Sequence, residues 1–477
     1  MSMKKKIIAG FGWTFILEKI VFLVQFFGGI VLARILLPAD FGRVAFITSV
    51  ILLVFILKGL GFDTYAIQCS RRNFKEYVGT AFSINLFLNF VLFTAAFVMA
   101  LIVSSGSALL MFIVLLITRV FSEILFFHPA LLQKELLYKK LAFLNTFSSI
   151  SSISVSVVLA VYGFGVWSLV IGIVIGDLLR IILGILWTPY FIRPRFSKRG
   201  VKDILNFGKY SLLADAMGKL YGRSDKIILE RVTGVASLGF YNRAHSLLGM
   251  TNNLAFNSLT SVAAPLFSRF KNNRQRLSKI YNQFLAISIR INIGLYLVLG
   301  CVVADFIVVL YTTKWLPAVP IFRAILLFAI ISPLLGFTRR FHLNIGKPKA
   351  VGIAHVILFT ALLVIIFPCV YLWGGVGVAL ALNISVVLAF IFLMLRTRKF
   401  IDIKWERIFI TPILLAILIA LFYAFIIKMF VFDSAWLRLL VHSAIISAFY
   451  LLGLLIFERK YVLQIVQEIK GIYKRDI

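Results

Sequence analysis

Residues 79–104 read GTAFSINLFLNFVLFTAAFVMALIVS, twenty-six residues without one charged side chain. Arg71, Arg72 and Lys75 precede the run, and a two-residue break separates it from another apolar stretch at 107–131. An α-helix needs about 20 apolar residues to cross the hydrocarbon core of a bilayer. The run therefore predicts a membrane-spanning helix with bases at one end. The same pattern continues along the chain. Fourteen segments are predicted to span: 7–36, 43–67, 79–104, 107–131, 141–162, 166–188, 204–231, 236–268, 280–311, 317–345, 350–373, 376–395, 408–431 and 435–457. Hydrophobic residues make up 61% of the chain, against roughly 45–50% in soluble proteins. The mean hydropathy is +1.02. The expected fold is an all-α polytopic membrane protein with about 14 transmembrane helices.

Charge orients these segments. Thirty basic residues fall into eight clusters at the two ends and at every second break. These are Lys4–Lys6; Arg71, Arg72, Lys75; Lys134, Lys139, Lys140; Arg193, Arg195, Lys198, Arg199, Lys202; Lys271, Arg274, Arg276, Lys279; Lys347, Lys349; Arg396, Arg398, Lys399, Lys404, Arg407; and Arg459, Lys460, Lys470, Lys474, Arg475. The alternate breaks hold only Arg43, Lys314, Lys428 and Arg438. Short cytoplasmic loops are enriched in Lys and Arg. Both termini are therefore expected in the cytoplasm, in a multi-pass protein of the cytoplasmic (inner) membrane. Lys4–Lys6 look like the start of a signal peptide, but the apolar run behind them is too long and lacks a small-residue cleavage site. An uncleaved first helix is expected.

The same distribution excludes several function classes. The chain has 50 Lys+Arg against 18 Asp+Glu, a formal charge of +32. These bases lie in short loops and not on a soluble domain, so no nucleic-acid partner is expected. No outer loop exceeds about ten residues, which leaves no room for a polymerase or transferase domain on the outer face. Cys69, Cys301 and Cys369 are isolated, and His128, His245, His342, His355 and His442 are scattered over five segments. No disulfide framework, metal, cofactor or enzymatic activity is expected.

The chain also repeats itself. Phe11-Gly12 … Leu32-Ala33-Arg34-Ile35-Leu36-Leu37-Pro38-Ala39-Asp40-Phe41-Gly42 matches Phe207-Gly208 … Leu229-Glu230-Arg231-Val232-Thr233-Gly234-Val235-Ala236-Ser237-Leu238-Gly239 at offsets of 196–197. Gly163-Phe164-Gly165-Val166 matches Gly375-Val376-Gly377-Val378 at 212. Six helices per unit is an even number, so the two repeats enter from the same side, as in parallel repeats of transporters. This predicts an N-terminal lobe at 1–190, a C-terminal lobe at 191–400, and two further helices with a basic tail at 401–477.

Ionisable residues inside spans are costly and normally face a cavity or the bundle interior. Asp215, Lys219, Arg223, Lys226 and Glu230 are spaced +4, +4, +3, +4. At about 100° per residue they fall within an arc of roughly 80°. Either the stripe lines a substrate path, or it is a neutralised ladder with Asp215–Lys219 and Lys226–Glu230 as i,i+4 pairs. Glu18, Lys19, Lys58, Asp63, Arg119, Glu123, Asp177, Arg180, Arg290, Arg323, Arg339 and Arg340 lie in other segments. The spacing of Arg119–Glu123 and Asp177–Arg180 favours structural pairing. Arg290 has no acid at i±3 or i±4 and is divided between substrate contact and an interlobe bond. Arg339 and Arg340 are expected to snorkel. Bases outnumber acids, so the cargo inside the bilayer is expected to be anionic.

Gly10-Phe11-Gly12-Trp13 with the Leu32–Gly42 run resembles the opening of Wzx-type polysaccharide-transport flippases of the MOP superfamily. So do Asp225-Lys226-Ile227-Ile228-Leu229 with Leu238-Gly239-Phe240-Tyr241-Asn242-Arg243-Ala244, Gly163-Phe164-Gly165-Val166-Trp167-Ser168-Leu169, and Lys314-Trp315. The resemblance spans residues 8–395; Phe240 departs from a plain Gly-Leu-Tyr run. It implies export of an undecaprenyl-diphosphate-linked oligosaccharide from the inner to the outer leaflet by alternating access, for surface polysaccharide (lipopolysaccharide-type) assembly, through a cationic cavity.

The basic residues expected at the substrate are Lys219, Arg223, Lys226, Arg290, Lys19 and Arg119, because Arg and Lys suit a diphosphate. Glu18, Glu123 and Asp215 are the candidates for coupling to H+ or Na+. Membrane lipids and the polysaccharide polymerase machinery are the other expected partners. The alternative is a cation or drug antiporter of the same superfamily, which would favour isolated acids over this excess of bases.

Overall fold

The structure, a computed structural model, describes residues 3–58, 74–124, 127–135, 137–188, 193–255, 263, 266–426 and 432–475. Every regular element among them is helical. The helices are α1 (Met3–Ile35), α2 (Pro38–Val54), α3 (Phe74–Val103), α4 (Gly106–Ile124), α5 (Phe127–Lys134), α6 (Tyr138–Val161), α7 (Val166–Trp187), α8 (Lys198–Thr233) and α9 (Val235–Ala255). They continue as α10 (Arg274–Tyr311), α11 (Ala318–Ala324), α12 (Leu326–Asn344), α13 (Pro348–Thr397), α14 (Thr411–Ile426) and α15 (Ala435–Arg475).

Among the described residues, ten helices are long and apolar enough to cross a membrane. They cover eleven of the fourteen expected segments, because α13 contains both 350–373 and 376–395. The expected segments 43–67, 204–231 and 236–268 correspond to α2, α8 and α9, which are not among the ten. Parts of two of these segments, 59–67, 256–262 and 264–265, lie outside the described residues, and α8 carries charged residues along its length.

Local chemistry sets the boundaries. Pro38 opens α2, and the Asp40 carboxylate accepts the Leu37 N–H at 3.0 Å, a proline-and-acid start that the helix dipole favours. Ser197 caps α8 by accepting the Gly200 N–H, and Asn273 caps α10 by accepting that of Arg276. Gly165 begins α7 at φ 53°, ψ −133°, and Gly374 breaks α13 at φ 55°, ψ −128°. These near-identical angles belong to the first central residue of a type II′ turn, a conformation that glycine favours. They correct the register of the second sequence match. Gly165 pairs with Gly374 at 374−165 = 209, not 212, and Tyr162 then matches Tyr371, both strongly exposed.

The chain forms two compact units, Met1–Asn242 and Arg243–Ile477. In the first, α6 packs on α1 and α7, α4 on α7, and α8 on α2 and α3. Gly172 and Gly176 of α7 let that helix close on α6: a Cβ on Gly176 would stand 2.7 Å from the Ser152 Cβ. Small residues at crossings are the usual route to tight packing of membrane helices. The starts of α2 and α9 also touch backbone to backbone. A Cβ on Gly42 would overlap the Val235 carbonyl, and one on Gly239 would overlap the Pro38 carbonyl.

In the second unit α10 is central, against α12, α14 and α15. Phe267, Tyr281, Phe337 and Phe341 form an aromatic core, with ring centroids 4.9–6.3 Å apart. The Tyr281 hydroxyl bonds Thr338 at 2.8 Å. Asn383 of α13 bridges the break between α11 and α12: its amide donates to the Ala324 carbonyl and its oxygen accepts the Phe328 N–H. Backbone groups freed by a helix break inside a membrane need such partners.

Candidate functional site

The charged stripe of α8 is divided in its roles. The side chain of Asp215 lies outside the described residues. Lys219 is exposed, and both Gly218 and Gly222 beside it open onto free space. Arg223 is half-buried and makes no hydrogen bond or ion pair among the described residues; Asp225 and Arg119 stand within its electrostatic reach. Lys226 does not pair with Glu230 as the i,i+4 ladder would have it. Its ammonium donates to Asn242 Oδ1 at 3.0 Å, while Glu230 lies 3.8 Å from Arg231. The next-door residue repeats the device, with the Tyr241 hydroxyl donating to Asp225 Oδ2 at 2.5 Å. Two successive residues of α8 thus hold the start of α9, and the sequence stretch Asp225–Ala244 acts as a stitched hairpin.

Around this hairpin the first unit gathers further charges. Arg119 and Glu123 form the expected ion pair along α4. Arg119 also stands within electrostatic reach of Arg223 on α8 and of Asp177 on α7. Three of the expected site residues, Arg119, Glu123 and Arg223, are therefore neighbours within one unit. Asp177 and Arg180 form no contact ion pair among the described residues, but Arg180 stands within electrostatic reach of Asp177, as Arg119 does. On α1, Glu18 is exposed and Lys19 half-buried. Lys58 closes a 3-10 turn with its side chain outside the described residues, as is all of Asp63.

Arg290 belongs elsewhere. Its Nε and Nη2 donate to the two carboxylate oxygens of Glu458, each at 2.5 Å, and its Nη1 donates to the Ala286 carbonyl. Both partners are about 5% exposed. The Tyr450 hydroxyl donates to the Arg290 carbonyl at 2.8 Å. A second pair, Arg438–Asp305 at 2.8 Å, joins the same two helices, α10 and α15, with the charges reversed. Arg290 is thus a fastener within the second unit and is not available as a free cation. Glu458 had no signal in the sequence, since it stands 168 residues away, at the end of an apolar run and beside a basic cluster.

The histidines have local uses. His342 bonds Thr397, His355 the Val351 carbonyl and His442 the Tyr423 hydroxyl. Among the described residues no group of His, Cys, Asp and Glu could hold a metal ion.

Sequence reasoning passed over the neutral polar residues. A space of about 370 Å³ opens among α1, α6 and α7, lined by Gln25, Asn145, Ser149, Ser152, Asp177 and Arg180 with apolar neighbours. Besides Asp177 and Arg180, its signal in the sequence was the serine-rich run at 148–156 within an otherwise apolar span.

The chain is similar over its length to the succinoglycan biosynthesis transport protein ExoT of Rhizobium meliloti, 24% identical and covering 95% of this chain and 94% of the relative. The teichuronic acid biosynthesis protein TuaB of Bacillus subtilis is 23% identical, over 70% of each chain. The lipopolysaccharide biosynthesis protein WzxC of Escherichia coli is 24% identical, over 69% of this chain and 68% of the relative. Among solved structures, an inward closed lipid II flippase MurJ superposes with a TM-score of 0.78 at 17% identity, over 94% of this chain and 99% of that one. An inward-facing multidrug resistance MATE transporter of the MOP superfamily gives 0.61 at 14%, over 80% and 95%. At such identities these two likenesses concern the fold. The family model described as "Polysaccharide biosynthesis protein" matches residues 31–320, more than half of the chain, and this integral membrane protein belongs to that family.

Proposed function

We propose that the chain flips a polyprenyl-diphosphate-linked oligosaccharide from the inner to the outer leaflet of the cytoplasmic membrane by alternating access, in surface polysaccharide assembly. The observation that carries this reading is that the guanidiniums of Arg119 and Arg223 stand within electrostatic reach of each other, the second with no ion-pair partner among the described residues. Two bases at membrane depth repel each other and gain from a shared anion. A diphosphate, bound bidentately by guanidinium, is such an anion. Lys219, exposed four residues before Arg223, is assigned to the sugars, and Lys19, half-buried on α1, is assigned to the substrate as well. Lys226 and Arg290 act through the fold, because Asn242 and Glu458 already hold them. The prenyl tail remains in lipid.

Glu123, bonded to Arg119, is the coupling acid of choice: protonation by an incoming H+ would release Arg119 to the substrate. Glu18 and Asp215 are the other acids for H+ or Na+. An inside-negative potential favours outward passage of an anionic headgroup by about 2.3 kcal/mol per charge per 100 mV. The moving bodies are the repeat lobes 1–190 and 191–400, the termini are cytoplasmic, and delivery is to the polymerase machinery. No chemistry is performed on the cargo.

The test is the double variant Lys219→Ala/Arg223→Ala. It is expected to abolish surface polysaccharide and leave the lipid-linked unit in the inner leaflet. Normal export by this variant would sink the assignment of these cations. Reporter fusions at both ends, active only in the cytoplasm, check the topology.

A further inference from the structure

Asp177 and Arg180 lie three residues apart on α7, within electrostatic reach but without a contact ion pair; both open into the space of about 370 Å³ among α1, α6 and α7. Gln25 and Asn145, exposed in the folded chain, complete its polar wall with Ser149 and Ser152. Gln25 sits near the middle of the span Ile16–Ile35, Asp177 near the middle of α7, and Ser149 and Ser152 near the middle of α6. At that depth amides and charged groups are disfavoured in lipid, so Gln25, Asn145, Asp177 and Arg180 face a cavity and not the acyl chains. The walls are rigid, because Gly176 seats α7 directly on Ser148 and Ser152 of α6.

The chemistry of the wall selects its occupant. A diphosphate would meet the Asp177 carboxylate. A free cation would meet Arg180, and Arg119 stands within electrostatic reach of the same acid. An apolar tail would strand every group. What remains is a neutral molecule that donates and accepts at many points. Gln, Asn and Ser each offer both roles, Arg only donates and ionised Asp only accepts. A saccharide presents hydroxyls that answer all of them. The volume lies at the small end of the range for small-molecule sites, roughly 300–1,000 Å³, and suits a sugar ring or two.

We propose that this cavity holds sugar hydroxyls of the transported saccharide, and that Gln25, Asn145, Asp177 and Arg180 set which sugar unit the protein accepts. The inference rests on the flippase reading and adds the part of the cargo that the cationic cluster does not recognise.

The test uses the full-length protein in lipid nanodiscs and two probes. One is the lipid-linked saccharide that accumulates in cells lacking the chain; the other is polyprenyl diphosphate without sugar. The Gln25→Ala/Asn145→Ala variant is expected to bind the first about tenfold more weakly, the net worth of one or two hydrogen bonds, and the second unchanged. Asp177→Asn, which keeps the shape of the wall, is the second variant should the double one misfold, and it is expected to weaken only the glycosylated probe. Equal weakening of both probes, or no change in either, overturns the sugar assignment and leaves the flippase reading standing. If cells lacking the chain accumulate no lipid-linked saccharide, the flippase reading falls and this inference falls with it.

Discussion

Gly42 and Gly239 stand at equivalent places in the two repeats, and each presses on the helix that carries the other. Gly42 lies against the Val235 carbonyl and Gly239 against the Pro38 carbonyl. The offsets are equal, 239−42 = 197 and 235−38 = 197, so the contact is reciprocal and has a local two-fold character. Gly42→Ala or Gly239→Ala puts a methyl into a backbone oxygen and is expected to cost on the order of 1–3 kcal/mol. Gly352→Ala, in a helix with open space around it, is the control and should be neutral or stabilising by up to about 1 kcal/mol. Thermal unfolding in detergent compares the three; equal shifts would dismiss the contact as a determinant.

Arg290 and Glu458 form a buried two-point pair between α10 and α15. Removing one partner strands a charge. Glu458→Ala is expected to lower stability by about 3–5 kcal/mol, while the paired replacement Arg290→Met/Glu458→Leu recovers most of the loss. A double-mutant cycle on unfolding reads the coupling. If Arg290 instead served the cargo, the paired variant would be stable but unable to export.

Gly165 and Gly374 adopt the same turn geometry at positive φ. Alanine at either position is expected to cost about 1–3 kcal/mol through backbone strain, although no neighbouring atom obstructs a Cβ at Gly165. The loss should appear as a lowered melting temperature with no change in substrate preference among the molecules that fold.

Asp225 and Arg223 separate scaffold from site. Tyr241→Phe leaves the buried Asp225 carboxylate short of a donor and should destabilise by about 1–3 kcal/mol, with export falling only as folded protein falls. Arg223→Lys keeps the charge and loses the two-point fork. Its export should lie between wild type and Arg223→Ala at an unchanged melting temperature. Surface polysaccharide per folded molecule distinguishes the two variants.

Much of this protein was legible one helix at a time. Partition into lipid depends on the side chains of a single segment, so runs such as 79–104 announced helices, and the basic clusters between them suggested an orientation. Glycine punctuation suggested a repeat, and Gly42 and Gly239, 197 residues apart, each sit where a Cβ would overlap a backbone carbonyl. The stripe of α8 was visible because its spacing lies on one helix.

What each charge faces was decided only by the tertiary structure. Coulombic and hydrogen-bond partners are set by which helices touch. Arg290 found Glu458 across 168 residues, Lys226 took Asn242 in place of Glu230, and Asp177 and Arg180 came to line a shared polar space. The sequence by itself determined a membrane weave rich in internal cations. Packing determined which of those cations are fasteners, and it left Arg223 within electrostatic reach of Arg119 and without an ion-pair partner among the described residues.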